Sequence, residues 1–588
     1  MNQDDNTRRD ETATSSVFRR YGAELLCALL LMLMAANMLT VVRQKSITID
    51  ETLMIPAGYY HLTVRDFRPI NEHPPFAKIL GALPLVFLGA QAPLIDPRAE
   101  PTYNYYYDLL EQFWLDNAAD YEAFSFWSRV PLIILTLLLG TLVFGYAQRL
   151  FGTRAAIFAL ALFTLEPTVL AHGRVVQTDI PSALAYLLFT FTLYDYLKGP
   201  TYKRAFYVGL VAGLAVVTKF SMVVLGPLLV LSTSMLLMLA PRLGQKRARL
   251  AAHAAVVALA AVLAINAAYL FHNRTPDDPD KALAMAGFSP PLEAALRAPM
   301  SYMYPALQRI FPADFVYGIN WQLAHNRDGH QAGLWGMYSR FGWWYYFPVA
   351  FALKTTLPFL LLSVASLAWG LWRFYRGKDE RFLLLLLPFG FFTALVMMSK
   401  INIGVRYYLP AYMFLFILSG ALLDRVLRRI KGRRAIIAGV VLLFGWMSFE
   451  TIRAYPDYMP YMNQLASGAP RWYYLSDSNV EWGDDARALA LYLRERGETK
   501  VGAALLNWEA LQPYGVRIVG LFTPPGTRPE ETRYVAVGAS FLNGSTVPAE
   551  LGEMRLSEEA RTNYFDEYRR RTPEKVFGNS IYLYRMKD

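Results

Sequence analysis

The sequence predicts a polytopic α-helical membrane protein with about eleven transmembrane helices and a small C-terminal α/β domain. Hydrophobic residues make up 54% of the 588 residues, and charged residues only 18%. The apolar residues are gathered in runs of roughly the 17 to 25 residues that cross a bilayer as a helix. Basic segments separate several of these runs, as is typical of cytoplasmic loops. We therefore expect most of the chain to lie in a membrane.

The first apolar run extends from Tyr21 to Val42 and follows Arg19 and Arg20. It is too long for the apolar core of an ordinary signal peptide and shows no small-residue cleavage pattern, so it predicts a retained signal anchor. Residues 1–20 are predicted to be a disordered cytoplasmic tail. Cys27 lies within the run, and because it is the only cysteine, no intrachain disulfide can form.

Ten further runs complete a predicted transmembrane domain over residues 21–452. They lie near 129–149, 154–171, 180–197, 205–218, 220–240, 250–271, 344–372, 382–399, 405–423 and 434–452. If the N-terminus is inside, five basic loops are cytoplasmic: Arg149–Arg154, Lys198–Arg204, Arg242–Arg249, Arg373–Arg381 and Arg425–Arg434. The net charge of +11 is therefore largely a topology signal, and it requires no nucleic-acid partner. A single helix over 205–240 would put the later basic loops outside. The sequence therefore predicts two spans here, divided near residue 219.

The same topology places two long loops, 43–128 and 272–343, and the region 453–588 on the extracytoplasmic face. In the first loop, Phe76–Ala90 is apolar but short and contains Pro84, which favours an interfacial or re-entrant helix. The C-terminal region predicts a small α/β domain. Its predicted strands are Lys500–Leu506, Arg533–Val537 and Ile581–Tyr584, and its predicted helices are Asp484–Glu495 and Ser557–Arg570.

Charged residues collect on the predicted outside face. Asp50 and Glu51 lie side by side shortly beyond the first run, where a general base could act at the lipid surface. The other candidates are Glu72 and His73 in the first loop, Arg174 and Asp179 in the second outside turn, Lys219 in the third and Arg406 in the last. No continuous path of ionisable residues runs through the spans. This pattern favours a site for an anionic lipid-linked substrate over a transport route.

Several short motifs follow one another along this face. They are Asp50-Glu51, His73-Pro74-Pro75, Arg174-x-x-x-Thr178-Asp179-x-Pro181, Trp343-Trp344-Tyr345-Tyr346-Phe347-Pro348, Lys354-Thr355, Gly404-Val405-Arg406-Tyr407-Tyr408-Leu409-Pro410 and Asp477-Ser478-Asn479-Val480-Glu481-Trp482-Gly483. Their order and common side resemble the GT-C membrane glycosyltransferases, specifically the protein O-mannosyltransferases and the lipid A aminoarabinose transferase, and bacterial phospholipid-carrier-dependent members (family 39-like). The resemblance covers most of the chain. The last motif departs from the form of close relatives at Glu481 and Asp484, so no catalytic role is assigned to it.

The resemblance implies transfer of a sugar from a polyprenyl-phosphate donor to a hydroxyl acceptor, with inversion at the anomeric carbon. The implied location is the extracytoplasmic face of the cell (inner) membrane. The sugar would be a mannose-like hexose or a modified pentose, and the acceptor a protein, lipid or glycan. The phosphate leaving group is already stable as an anion, so no second carboxylic acid is required as it is in glycoside hydrolysis.

The candidate residues suit this displacement. Asp50 is placed as the base, and Glu51 is the next candidate. The groups proposed to hold the developing phosphate charge are Arg174, Lys219 and Arg406. The resemblance makes Asp179 a residue that fixes the first loop or the donor head group, and Glu72 and His73 are expected to shape the site beside Asp50.

Each candidate also has a simpler interpretation. Asp50, Glu51 and Asp179 could cap the helices that follow them. His73 could serve only as a rigid turn residue before two prolines. Lys219 could extend to the membrane interface.

Three alternatives stay open at this stage. A divalent metal could be bound where Glu72, His73 and His325 meet, but their spacing gives no tetrahedral signature, and no metal is the default. A transporter or flippase of lipid-linked saccharide predicts inverted repeats and ionisable groups within several spans, and neither is visible. An oligosaccharide ligase or polymerase is disfavoured by the small size of the C-terminal region.

Overall fold

Helices make up most of the computed structural model, which describes residues 4–96, 103–239, 247–272, 307, 309–429, 433–522, 530–552 and 554–586. Up to residue 454 the helices are α1 (Asp4–Val42), α2 (Ile49–Thr63), α3 (Pro75–Leu88), α4 (Tyr103–Asp116), α5 (Tyr121–Phe151), α6 (Thr153–Thr164), α7 (Pro167–His172), α8 (Asp179–Lys198), α9 (Tyr202–Thr218), α10 (Leu225–Leu239), α11 (Arg247–Ala268), α12 (Ala313–Asp328), α13 (Tyr346–Lys354), α14 (Leu357–Gly377), α15 (Glu380–Met397), α16 (Leu409–Arg429) and α17 (Arg433–Ala454).

Among the described residues, seven helical segments are long and apolar enough to cross a membrane. They are Tyr21–Val42, Ala118–Phe151, Ala248–Ala268, Leu357–Gly377, Glu380–Met397, Val405–Arg428 and Arg434–Ala454. The predicted helical architecture with several candidate spans is confirmed. The count of eleven stays a prediction, because α6, α8, α9 and α10, which correspond to the other four predicted spans, are not among these seven.

Two boundaries differ from those that the sequence predicts. Helix α1 begins at Asp4, within the segment predicted to be a disordered tail, because a helix nucleated in the apolar run extends at one hydrogen bond per residue. The predicted span 344–372 is divided into α13 and α14 at Thr355 and Thr356, both of which have extended backbone. Pro358 lies in the first turn of α14, where its missing N–H costs nothing, but it could not continue α13.

Helix α16 lies at the centre of the helical part. Its most apolar window is 83% buried, against 17 to 44% for the other six candidate spans. Its sequence is apolar on all sides over most of its length, as is typical of a helix enclosed by others. A Cβ on Gly420 would lie 2.4 Å from the backbone oxygen of Ala155, so the missing side chain lets α16 approach α6 closely.

The predicted outside loops contain regular structure. Helices α2, α3 and α4 lie in the first loop, and α3 confirms the short helix predicted over Phe76–Ala90. In the second loop, α12 is followed by a hairpin of β1 (Ala332–Leu334) and β2 (Met337–Ser339). Residues 273–306 of that loop lie outside the described residues.

The C-terminal region forms a five-stranded mixed sheet with short helices. Its elements are α18 (Arg471–Tyr474), α19 (Ala486–Arg494), β3 (Lys500–Ala504), β4 (Arg517–Gly520), β5 (Tyr534–Gly538), α20 (Ala539–Asn543), β6 (Glu550–Leu551), β7 (Met554–Arg555), α21 (Glu558–Thr562), α22 (Asp566–Arg570), β8 (Lys575–Phe577) and β9 (Ile581–Arg585). The sheet order is β4-β3-β5-β9-β8, with β3 parallel to β4 and β5 and the other pairs antiparallel. The three predicted strands are confirmed as β3, β5 and β9, whereas the helix predicted over Ser557–Arg570 is divided into α21 and α22.

Candidate active site

The N-terminus of α2 presents Asp50. Thr48 caps this helix, because its Oγ1 accepts a hydrogen bond from Glu51 N at 3.3 Å while Glu51 Oε2 accepts one from Thr48 N at 2.8 Å. The cap is therefore supplied by Thr48 and Glu51. Asp50 lies in the first turn without a capping bond, so its carboxylate is available for other partners.

Three other predicted residues, Asp179, Lys219 and Arg406, meet beside that carboxylate. Arg406 Nη1 donates a hydrogen bond to Asp50 Oδ2 at 3.0 Å and lies 3.6 Å from Asp179 Oδ2. Lys219 Nζ donates to Asp179 Oδ1 at 2.6 Å. Gln177 Nε2 also donates to Asp50 Oδ2. We call Asp50, Gln177, Asp179, Lys219 and Arg406 the Asp50 cluster.

The chain brings these residues together because three separate helix ends meet. Asp179 begins α8, Lys219 follows the last residue of α9, and Arg406 lies in the 3₁₀ turn that precedes α16. Helices α8 and α9 are antiparallel neighbours, so the start of one lies beside the end of the other. The cluster thus lies at one end of the helical part.

Two aromatic rings flank the cations of the Asp50 cluster. The Trp482 ring centroid lies 4.1 Å from Arg406 Cζ, and the Tyr407 centroid lies 3.7 Å from Lys219 Nζ. Both distances are within the range of cation–π attraction. Within the described part of the chain, Arg406 Nε and Asp179 Oδ2 have no hydrogen-bond partner although both atoms are buried. The cluster therefore keeps donor capacity for a further anionic group.

Glu51 belongs to a second, fully enclosed set of charges. Its side chain is 0% exposed and pairs with Arg129 through two hydrogen bonds of 2.8 and 2.6 Å. Its Oε1 also accepts from Val176 N at 2.9 Å. Burial acts to raise the pKa of the Glu51 carboxyl, but the Arg129 guanidinium and the backbone N–H groups outweigh it and hold that pKa below its usual value. The ionised Glu51 side chain therefore links α2 to α5 and to the turn before α8.

Arg174 lies in the same enclosed set and not at Asp50. Its side chain is 0% exposed, and its Nη2 donates to Asp484 Oδ2 at 2.8 Å. Lys45 is ion-paired with Asp485 and, at 2.5 Å, with Asp457. We call Lys45, Glu51, Arg129, Arg174, Asp484 and Asp485 the Glu51 cluster. It joins the first loop to the C-terminal region.

The charge of Asp50 acts on both Glu72 and His73. Glu72 is 7% exposed, and burial raises the pKa of its carboxyl. Burial lowers the pKa of His73 to about 4; Asp50 opposes this, whereas Lys78, Arg406 and Lys219 add to it. The charges of the Asp50 cluster are thus within electrostatic range of His73, and His73 is neutral at pH 7.

His325 is adjacent to His330, with its Nε2 2.9 Å from His330 Nδ1. Burial lowers the pKa of His325 to about 3, and His330 and His73 contribute to that shift. Among the residues that the structure describes, no group of three or more His, Cys, Asp and Glu side chains is arranged to hold a metal ion. We therefore assign no metal to His325 or His73.

Sequence reasoning missed several residues of these clusters. The sequence predicts that Arg129 begins an apolar span, because a single cation in such a run gives no indication of a buried partner. Asp484 and Trp482 belong to a motif to which no catalytic role was assigned. Gln177 lies two residues before Asp179 in the sequence, and this closeness to a predicted site residue is the feature that could have indicated it.

The fold and the site describe a helical membrane protein with a buried cluster of carboxylates and cations where several helix ends meet. A family model for dolichyl-phosphate-mannose-protein mannosyltransferase matches residues 123–271. This segment includes Arg129, Arg174, Asp179 and Lys219, and the match confirms the family resemblance that the sequence motifs indicate. No match was found among curated proteins.

Several solved structures are similar to this chain over most of its length. ArnT from Cupriavidus metallidurans bound to undecaprenyl phosphate has a TM-score of 0.44 and 13% identity, covering 83% of this chain and 74% of that one. The apo oligosaccharyltransferase of Archaeoglobus fulgidus has a TM-score of 0.46 and 13% sequence identity. The match covers 86% of this chain and 65% of that one. AglB from Archaeoglobus fulgidus, in complex with an inhibitory peptide and a dolichol-phosphate, has a TM-score of 0.45 and 12% sequence identity. The match covers 89% of this chain and 70% of that one. These likenesses are too weak to assign a ligand or an activity to this chain.

Proposed function

We propose that the chain is an inverting glycosyltransferase of the GT-C type that moves a sugar from a polyprenyl-phosphate donor to a hydroxyl acceptor at the extracytoplasmic membrane face. The observation that carries the proposal is the pairing of Asp50 with Arg406 beside the Asp179–Lys219 ion pair. A displacement at a sugar phosphate needs one base and cations for the departing phosphate, and the Asp50 cluster offers both. The family match over residues 123–271 supports the same class of donor.

Asp50 is the proposed general base. Its side chain is 22% exposed, whereas that of Asp179 is 2% exposed, so Asp50 is the more accessible carboxylate. In the structure, Oδ2 of Asp50 already accepts a hydrogen bond from Arg406 Nη1 at 3.0 Å. We therefore assign Arg406 a change of partner: it turns from Asp50 to the donor phosphate when the donor binds. Asp50 is then free to accept the proton of the acceptor hydroxyl.

The reaction is a single displacement. The acceptor oxygen forms a bond to the anomeric carbon from the face opposite the phosphate, while the bond from that carbon to the phosphate oxygen breaks. Its electron pair stays with the phosphate, and the acceptor proton passes to Asp50. Arg406 offers a planar fork of donors to the phosphate, and Lys219 supplies a second positive charge beside it.

The remaining predicted residues have supporting roles in this proposal. Glu51 positions α2 through Arg129, and Arg174 holds the C-terminal region through Asp484. Glu72 and His73 shape the acceptor side next to Asp50. The sugar that we propose to test first is mannose, because the matching family is described by a mannosyl donor.

The test is transfer by the purified protein in liposomes, with a polyprenyl-phosphate-linked hexose and the envelope glycoconjugates of the host as acceptors. Mass spectrometry of these conjugates, with and without the protein, identifies the modified acceptor. We expect the sugar to appear on an acceptor and free polyprenyl phosphate to be released. Movement of the lipid-linked sugar across the bilayer without its transfer would overturn the proposal and support a flippase.

A further inference from the structure

The C-terminal region contributes a wall of the Asp50 cluster. Ser478 Oγ donates to the carbonyl of Ile403 at 2.5 Å, and Val405 N donates to Asn479 Oδ1 at 3.0 Å. Gly404 has a φ of +156° and no room for a side chain, since a Cβ there would lie 2.3 Å from Ser478 Oγ. Residues 477–485, which we call the 477–485 segment, are thus bonded directly to the turn that carries Arg406.

The same segment holds the other side of the site. Trp482 O accepts a hydrogen bond from Ile49 N at 3.0 Å, and Asp484 O accepts one from Ser46 N at 3.0 Å. Asp50 follows Ile49, so the backbone of the 477–485 segment fixes the start of α2. One segment therefore contacts the backbone on both sides of the Asp50–Arg406 pair.

The Trp482 side chain lies between these two attachments. It is 1% exposed, its ring faces the Arg406 guanidinium at 4.1 Å, and its edge meets His172 with centroids 5.8 Å apart. In the described residues, the hydrogen-bond and ion-pair partners of the Arg406 side chain are the Asp50 and Asp179 carboxylates. The indole ring is thus the surface against which the guanidinium rests.

We propose that Trp482 is a positioning residue that holds Arg406 in the plane where it can exchange Asp50 for the donor phosphate. The inference rests on the proposed function of Arg406. Cation–π attraction in a desolvated place favours one face of the guanidinium, leaves its N–H edges free for oxygen ligands, and excludes water from behind it. Trp482 does not contact the reacting atoms, so its effect passes entirely through Arg406.

The experiment compares Trp482→Phe and Trp482→Leu with the wild type in transfer kinetics and in binding of a polyprenyl monophosphate without sugar. Trp482→Leu is expected to lower kcat/KM and phosphate-lipid affinity by roughly 10- to 30-fold, whereas Trp482→Phe keeps a ring and recovers most of both. Trp508→Leu, in the same region with an indole that is 36% exposed, is the matched control and should leave both unchanged.

The decisive measurement is a double-mutant cycle in lipid binding. In the Arg406→Gln background, loss of the ring should add less than about twofold, because the guanidinium on which it acts is gone. If Trp482→Leu fails to accumulate, the cycle is run with Trp482→Phe, whose smaller deficit should vanish in the same background. Additive losses would make Trp482 a packing residue only. A wild type that binds no phosphate lipid would instead overturn the proposed function.

Discussion

At the scale of single residues, the Asp50–Arg406 pair determines what the site can do. The Asp50 side chain is 22% exposed, whereas the Arg406 side chain is 5% exposed. In the proposed reaction, the donor phosphate reaches the pair from the more exposed Asp50 side and takes the place of Asp50 at the guanidinium. In this proposal, donor binding and the release of Asp50 from Arg406 are one event, so the proposed base stays paired while no donor is bound.

Replacement of Asp50 tests its role as the base. Asp50→Asn keeps the shape of the side chain but cannot take up the acceptor proton, so we expect turnover to fall by roughly 10² to 10⁴ while the protein stays folded. The measurement is kcat for transfer in liposomes, with Asp108→Asn, an exposed carboxylate of the same loop, as control. Near-normal transfer by Asp50→Asn would rule out Asp50 as the base.

Graded replacement of Arg406 tests the phosphate contact. Lysine keeps the charge but loses the planar fork, and glutamine loses both, so activity should decrease in the order Arg406, Arg406→Lys, Arg406→Gln. The loss should be larger in kcat than in KM if the contact strengthens as the phosphate departs. Equal kinetics of the three proteins would remove Arg406 from the site and transfer its role to Lys219.

At the scale of elements, the 477–485 segment is anchored to the sheet by Glu481. The Glu481 carboxylate accepts hydrogen bonds from Leu506 N at 2.9 Å and Ser540 N at 2.8 Å. A Cβ on Gly538 would lie 2.1 Å from its Oε1, so only glycine admits the carboxylate there. Burial, with help from Asp477, raises the pKa of Glu481 to about 8.

This shift gives stability a defined pH dependence. Between pH 4.5 and about 8 the folded chain holds a proton on Glu481 that the unfolded chain has lost, so this contribution to stability decreases as pH rises through that window. Glu481→Gln should lower stability at all pH values, because its amide cannot accept from both N–H groups, and it should flatten the slope. Thermal unfolding from pH 5 to 8 measures both. An unchanged slope in the variant would show that Glu481 is ionised throughout.

The sequence predicted these elements unevenly, for physical reasons. The sequence groups Asp50, Asp179, Lys219 and Arg406, because each follows or precedes an apolar run on the side that the basic loops predict to be outside. Such a pattern does not predict the direction of a side chain. The sequence therefore groups Arg174 with the residues that would hold the phosphate, whereas in the structure its side chain pairs with Asp484. The break at Thr355 was hidden by the apolar residues on both sides of it.

At the scale of the whole molecule, the membrane orientation is the main prediction that stays untested. The N-terminus is expected to be cytoplasmic and residues after about 455 extracytoplasmic, because only an odd number of spans leaves every short basic loop inside. Reporter fusions at Gly199, Gly377 and the C-terminus measure this directly. The first two should report a cytoplasmic location and the last an external one, and a cytoplasmic C-terminus would rule out the eleven-span arrangement.

The Glu51 cluster joins residues that are far apart in the order of synthesis. Lys45 pairs with Asp485, 440 positions later, and Arg174 pairs with Asp484, 310 positions later. At ribosomal speeds of about 5 to 20 residues per second, Lys45 leaves the ribosome roughly 20 to 90 s before its partner exists. Its ammonium and the Arg174 guanidinium must stay hydrated during that interval. The enclosed cluster can therefore close only after the last helix has been synthesised, so a chain that stops before residue 484 leaves Lys45 and Arg174 without the Asp485 and Asp484 carboxylates that pair with them in the folded protein.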